Sequence, residues 1–396
     1  MKVWITGTGM EGELTLTAEA RKAVEEADIL IGAERMTRPY SGLGKPVFTA
    51  YRSEDIAAVI SREQVSSAAV LMSGDTGFFS GTKKLLPLLE GHDVRVIAGI
   101  SSLSYFCGLT GQSYEDMRCI SLHGRDCGIA VNVKLYGKCF FLLGGDTDAA
   151  GVCRRLTDYG LGESIAVIGQ ELGSSREKIF RGTARELADI AAEKLCVMTV
   201  SYPDRLRYLP SAMDDSEFIR ENIPMTKSAV RGSAVSWLRI EQYSTCWDIG
   251  CGTGSVSVEM AYRCPMGRVY AFDKKPEAAA LTEKNARKHG CDNIVVTEGS
   301  CPEILEAAPA PDKVFIGGSS GRIEEIFAAV RRKTDCADVV VTAVSLETLE
   351  QASAAFREYG AGHEITQIAV TETSRIAGHT MLHAQNPVFI IRGRLT

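Results

Sequence analysis

Seven consecutive residues, Asp248-Ile249-Gly250-Cys251-Gly252-Thr253-Gly254, carry the densest chemical signal in the chain. Glycines at alternate positions let the main chain turn sharply and let a ligand lie against bare peptide. The run ends a strand-like stretch, 245–250, and leads into a helix-like one, 255–263, so the ligand would sit at the carboxyl end of a strand. Asp273 closes the next strand-like run, 268–273, where a carboxylate takes the two hydroxyls of a ribose. A dinucleotide loop requires G-x-G-x-x-G to bring a pyrophosphate onto a helix N-terminus. Here Ser255 stands where that third glycine would be.

The ligand implied is therefore a nucleoside without a pyrophosphate. G-x-G-x-G after an acid resembles motif I of the Rossmann-like methyltransferases. That resemblance implies S-adenosylmethionine, with Asp248 beside its amino-acid end and the Glu298–Glu303 loop beside its adenine. Three weaker glycine loops lie in the first half. They are Gly7-Thr8-Gly9, Ser73-Gly74-Asp75-Thr76-Gly77-Phe78-Phe79 and Ala98-Gly99-Ile100-Ser101-Ser102-Leu103. Each alone reads equally well as a strand-end turn. Together they fall where open α/β sheets bind ligands.

The elements that must carry these loops follow an α/β pattern. Short apolar runs at 2–6, 28–32, 68–72, 94–98, 117–122, 138–143, 164–169 and 195–200 alternate with amphipathic stretches such as 17–27 and 147–158. Two prolines and several charges interrupt the pattern, which places a linker at 203–215 and divides the chain into domains 1–205 and 206–396. In the second series, helices at 226–239, 255–263, 276–289, 321–332 and 345–358 alternate with strands at 245–250, 268–273, 293–299, 313–318 and 338–343. The last two extended runs, 363–371 and 387–393, have no helix between them, so an antiparallel edge hairpin is expected.

Composition narrows the function classes. The 396 residues are 45% hydrophobic and 24% charged, which is a folded chain of about two domains. No apolar run is long enough for a membrane span, and the start lacks the pattern of a secretory signal. A cytoplasmic location follows as an expectation, and with it reduced cysteines: the 12 are scattered, form no C-x-x-C pair and suggest no metal site. A net charge of −6 argues against a nucleic-acid partner but leaves an anionic small substrate open.

Gly74-Asp75-Thr76-Gly77-Phe78-Phe79 followed by Gly99-Ile100-Ser101-Ser102-Leu103 resembles the tetrapyrrole methylase family, whose donor sits between two α/β lobes. Ser121-Leu122-His123-Gly124-Arg125 and Gly169-Gln170-Glu171-Leu172-Gly173 are similar to the branch that methylates C5 of the corrin precursor. The second half resembles the enzymes that methylate C15 and decarboxylate the acetate on C12. Its marks are Met225-Thr226-Lys227, Val230-Arg231, the Asp248–Gly254 loop, Phe315-Ile316-Gly317-Gly318-Ser319 and Gln385-Asn386-Pro387-Val388. Both halves in this order are similar to the precorrin-6Y C5,15-methyltransferase (decarboxylating) family of cobalamin biosynthesis. The chain departs from the family patterns at Thr76, where Pro is common, and at Ser300, where Asp is common.

The resemblance implies a two-lobed tetrapyrrole methylase fold followed by a Rossmann-like class I methyltransferase fold. It implies a first donor site lined by Gly74, Asp75, Thr76, Ser101 and Ser102. A second would use Thr226, Asp248, Gly250, Cys251, Gly252, Thr253, Gly254, Asp273, Ser300 and Cys301. His123 and Arg125 would face the macrocycle, Arg231 would hold a substrate carboxylate, and Arg35, Arg38 and Arg375 are further candidates. It also implies a tetrapyrrole substrate and a homo-oligomer. Meso carbons of a partly reduced tetrapyrrole are enamine-like nucleophiles, so alignment matters more than a strong base, and no catalytic dyad is assigned. Two other readings stand beside this one: an RNA or protein methyltransferase, and a chain whose first half only binds substrate or assembles the oligomer.

Overall fold

Strands buried on both faces read as continuous apolar runs and require helices above and below them. In the first half β1 (Lys2–Gly7), β2 (Ile29–Gly32) and β4 (Ser67–Met72) are of this kind. The computed structural model describes residues 1–10, 15–124, 127–144, 147–192 and 195–396. With β3 (Val47–Thr49) and β5 (Asp93–Ile97), these strands form a parallel sheet in the order β3-β2-β4-β1-β5. A second sheet takes β6 (Arg118–Ser121), β7 (Lys138–Leu142), β8 (Ile165–Gln170), β9 (Lys178–Thr183) and β10 (Cys196–Ser201) in the order β6-β7-β10-β8-β9. Only its β6–β7 pair is parallel. Side-chain caps start the intervening helices: Thr17 accepts from the Ala20 N–H, Ser101 from Ser104 and Asp148 from Gly151.

The second half is built on one seven-stranded sheet. Its parallel strands are β11 (Thr245–Ile249), β12 (Arg268–Asp273), β13 (Ile294–Glu298), β14 (Lys313–Ile316) and β15 (Ala337–Ala343). β16 (Gly360–Ile368) lies at the edge, and β19 (Val388–Leu395) runs antiparallel between β15 and β16. β16 and β19 are not consecutive. β17 (Thr371–Ile376) and β18 (His379–Ala384) intervene as a separate two-stranded ribbon, mostly exposed along both strands. With neither face packed, that ribbon shows no alternation of apolar and polar residues, and the sequence pattern passes over it. β3 and β9, an edge strand of each N-terminal sheet, are likewise only partly buried and escape the pattern.

An irregular strap, 203–227, joins the halves and is longer than the linker expected at 203–215. The halves also meet directly. Asp292, buried just before β13, accepts hydrogen bonds from the N–H of Ile129 (2.8 Å) and of Val131 (3.0 Å), at the start of the helix Ala130–Tyr136. Arg155 approaches the same carboxylate at 3.6 Å. The Asn132 amide donates to the Pro265 carbonyl at 2.9 Å, and Arg118 donates to Gln242 at 2.8 Å. Gln242, Pro265 and Asp292 all precede strands, so the joint lies along the amino edge of the C-terminal sheet. Among the described residues no helix is long and apolar enough to cross a membrane.

Burial raises the pKa of Asp292, and the two backbone donors and Arg155 work against that shift. Removing the carboxylate strands two buried N–H groups, each costing about 1–3 kcal/mol. Asp292→Ala is therefore expected to lower the urea midpoint by an equivalent of about 3 kcal/mol. Asp292→Asn, which keeps an acceptor, should lose less. An unchanged midpoint for the alanine variant would show that the joint contributes nothing.

Candidate functional site

The carboxyl ends of β11 to β15 surround a cleft of about 790 Å³. Gly250 turns out of β11 with φ +76°, and a Cβ there would stand 2.7 Å from the Gly318 backbone. Two loops thus meet main chain to main chain, and the cleft opens beside them. The Gly250 and Cys251 N–H groups donate to the Phe272 carbonyl, and Gly317 N–H donates to Ile249, which fixes both loops to the sheet.

Asp248 and Asp273 face this cleft in different states. Asp248 is fully buried; Ser257 donates to its Oδ2, while Oδ1 has no partner among the described residues. Burial pushes its pKa up from 3.8 to about 7, with Asp273 adding to the rise and the Ser257 hydroxyl opposing it. Between about pH 4 and pH 7 the folded chain keeps a proton that the unfolded chain has lost, so this group's contribution to stability declines across that window. Asp273 is half-buried and accepts from the Gly252 N–H (3.0 Å) and the Lys275 N–H (3.0 Å). Each of its oxygens retains a further lone pair for a hydroxyl donor.

The structure brings Thr226, Gly250, Cys251, Gly252, Ser300 and Cys301 to the same cleft as the two aspartates. Burial raises both cysteine thiols, Cys301 to about 12, so neither is a thiolate at neutral pH. Thr253 and Gly254 do not line the cleft. Thr253 is buried, and its carbonyl accepts from Asn285. Gly254, at φ +74°, is the N-cap of the helix Ser255–Arg263 and leaves room for Thr282. The third glycine thus serves helix packing. The cleft also takes residues no glycine pattern marks: Ile223 to Lys227 of the strap, Lys274, Lys275 and Arg322. Gly317 to Ser319, Gln385 and Asn386 line it too, and these lie in the segments that carried the resemblance.

Arg231 is a correction. It lies four residues after Lys227 on the helix Ser228–Trp237, and its side chain is wholly buried. Its Nε donates to Glu259 at 2.6 Å, Nη1 to Asp215 at 3.2 Å and to the Thr226 carbonyl at 2.6 Å, and Nη2 to the Met213 carbonyl. Every arm of the guanidinium is engaged, so it cannot reach a substrate carboxylate. Glu259 in turn accepts from the N–H groups of Ala212 and Met213. The pair therefore pins the strap whose residues 223–227 wall the cleft.

A second cleft, about 180 Å³, separates the two N-terminal sheets. Gly74, Asp75 and Ser102 line it; Thr76 and Ser101 do not. Thr76 is buried, with its hydroxyl on the Ile97 carbonyl, and Ser101 caps its helix. Asp75 accepts from the N–H groups of Gly77 (2.8 Å) and Gly99 (3.0 Å), tying the two glycine loops together. His123 is exposed against Gly144 and is not among the residues that line the cleft. Arg125 lies outside the described residues. Of the described candidate arginines only Arg35 lines either cleft, and Arg375 is exposed on β17.

Breaking a buried ion pair from one side costs about 3–5 kcal/mol. Arg231→Ala should lose about that much stability in urea unfolding, whereas a substrate-contacting arginine would change activity and leave the midpoint in place.

Two family models match the chain, over different parts of it. Residues 2–188 match the model of the tetrapyrrole (corrin/porphyrin) methylases, and residues 217–393 match that of the precorrin methyltransferase domain. The probable cobalt-precorrin-6B C(15)-methyltransferase (decarboxylating) of Pyrobaculum calidifontis is 41% identical over 187 residues, 46% of this chain and 96% of that protein. The precorrin-6Y C(5,15)-methyltransferase [decarboxylating] of Sinorhizobium sp is 27% identical over 355 residues, 87% of this chain and 85% of that protein. A precorrin-6Y C5,15-methyltransferase structure from Geobacter metallireducens GS-15 is 35% identical over 46% of this chain and 97% of that one, with a TM-score of 0.44. The chain is an enzyme and belongs to the precorrin methyltransferase family.

Proposed function

We propose that this chain uses S-adenosylmethionine to methylate precorrin-6Y, or its cobalt form, at C5 and C15 and to release CO2 from the C12 acetate, in cobalamin biosynthesis. Residues 1–205 would act at C5 in a two-lobed tetrapyrrole methylase fold. Residues 206–396 would act at C15 and on the acetate in a Rossmann-like fold. The observation that carries the reading is that each half has its own glycine-lined cleft at strand carboxyl ends, in a chain similar through 87% of its length to an enzyme named for both methylations.

The residues of the larger cleft fit the donor. The orphaned Asp248 oxygen suits an ammonium, Asp273 retains acceptors for ribose hydroxyls, and Gly250 and Gly252 present bare backbone. When bound, the donor supplies an electrophilic methyl group. The chain's own part is to hold the two reactants in line, and orientation of this kind is worth up to about 7–11 kcal/mol. Thr226 and the strap wall the site, while Lys274 and Lys275, exposed at the cleft, offer charge to the substrate's carboxylates. No side chain is required as a strong base.

A second reading rests on the size of the first cleft, which falls below the roughly 300–1,000 Å³ usual for small-molecule sites. On that reading residues 1–205 hold substrate or assemble an oligomer and do not methylate.

Two measurements test these assignments. Mass spectrometry of the product formed with methyl-labelled donor should show two labelled methyl groups gained and one CO2 lost. One methyl with CO2 loss would select the second reading, and no reaction would defeat both. Calorimetric titration of the donor should also show affinity rising as pH passes through about 7, because Asp248 must ionise to accept a cation. Asp248→Asn should bind weakly with a flat profile; a retained slope would remove Asp248 from the donor's amino-acid end.

A further inference from the structure

The first cleft is too small to enclose a tetrapyrrole, so any macrocycle it serves must lie across its mouth. Two of the lining residues, Arg35 and the loop residue Phe79, are themselves exposed. Arg35 is exposed, and its Nη2 donates to the Ser73 hydroxyl at 3.1 Å, which holds the guanidinium beside the Gly74-Asp75 turn. Among the described lining residues it is the only cation, and no described carboxylate pairs with it. The one lining anion, Asp75, is committed to the Gly77 and Gly99 N–H groups.

Phe79 is 45% exposed and sits at φ +49°, a conformation that bulky side chains rarely adopt. Burial does not explain an aromatic ring held there. Its edge packs on Phe78 (centroids 4.8 Å apart), and Phe78 packs on Phe140 of β7 (5.9 Å), which is wholly buried beside Phe106. An exposed ring is thus braced through an aromatic row that reaches from the first sheet's loop into the second sheet. A braced, solvent-facing ring lining the same cleft as a guanidinium with no described carboxylate partner complements a flat, apolar ring system with carboxylates on its periphery.

Resting on the tetrapyrrole reading of this chain, we propose that Phe79 and Arg35 form the substrate grip of the first cleft, Phe79 against the macrocycle face and Arg35 on a peripheral carboxylate. Both act by binding and positioning, with no part in bond making. Pairing of a guanidinium with a carboxylate is worth roughly a ten- to hundredfold in affinity.

The test uses the full chain with Arg35→Gln, Arg35→Lys and Phe79→Gly. Glycine relieves the backbone at φ +49°, so that variant removes the ring without adding strain. Product analysis with labelled methyl counts C5 and C15 methylation separately, and uroporphyrin, an eight-carboxylate tetrapyrrole, serves as the binding probe by fluorescence. Arg35→Gln and Phe79→Gly should each raise KM for C5 methylation about tenfold or more, with kcat for that step little changed. C15 methylation should stay at its normal rate. Arg35→Lys should recover most of the loss. Uroporphyrin should bind the unaltered chain and bind both variants more weakly. If the unaltered chain methylates and binds tetrapyrroles and the variants match it, the grip is wrong and the function stands. If the unaltered chain neither binds nor methylates a tetrapyrrole, the functional reading falls and the grip with it.

Discussion

Main chain packed directly against main chain is the constraint from which both clefts follow. A Cβ on Gly250 would stand 2.7 Å from Gly318, and one on Gly99 would stand 2.1 Å from the Gly74 carbonyl. In the second half the two loops leave the neighbouring strands β11 and β14, and in the first they leave β4 and β5 on either side of β1; each pair touches with no side chain between. The adjoining helices cannot close over the contact, so a concavity remains at the carboxyl ends of the strands. Its floor is peptide, rich in hydrogen-bonding groups and poor in side-chain chemistry. That suits enzymes whose substrate already carries the nucleophile and whose donor carries the leaving group.

Buried charge supports the C-terminal cleft from behind. Arg231 and Glu259 are both removed from water, and desolvation of such a pair is offset only when every polar atom finds a partner. Here the partners are backbone groups of Met213, Ala212 and Thr226, so satisfying the pair also fixes the strap. Asn285 adds a second clamp, exchanging two hydrogen bonds with the Ile219 backbone. An irregular segment with almost no regular structure is thereby given one conformation at the edge of the site.

The α/β alternation, the main strands of the C-terminal sheet and the aspartates at the ends of β11 and β12 were legible because each rests on a local pattern: an apolar run, a glycine turn, an acid at a strand end. What escaped reading was non-local. Whether Arg231 faces solvent or the strap depends on Glu259, 28 residues away, and helix spacing from Lys227 is the same in both cases. Thr253 and Gly254 belong to the glycine motif but point to Asn285 and Thr282, partners no spacing rule reveals. β17 and β18 bury neither face, so nothing in their sequence had to alternate.

The joint at Asp292 has a consequence for traffic. It occupies the amino edge of the C-terminal sheet, while the cleft opens at the carboxyl edge, a strand's length of roughly 17–20 Å away. No described residue of the first 205 borders that cleft. The described residues of the two halves therefore meet along this joint without sharing a cleft. Covalent linkage fixes their ratio at one to one, yet among the described residues the first half contributes no wall to the second cleft, so a molecule leaving one site would enter the other by way of solvent.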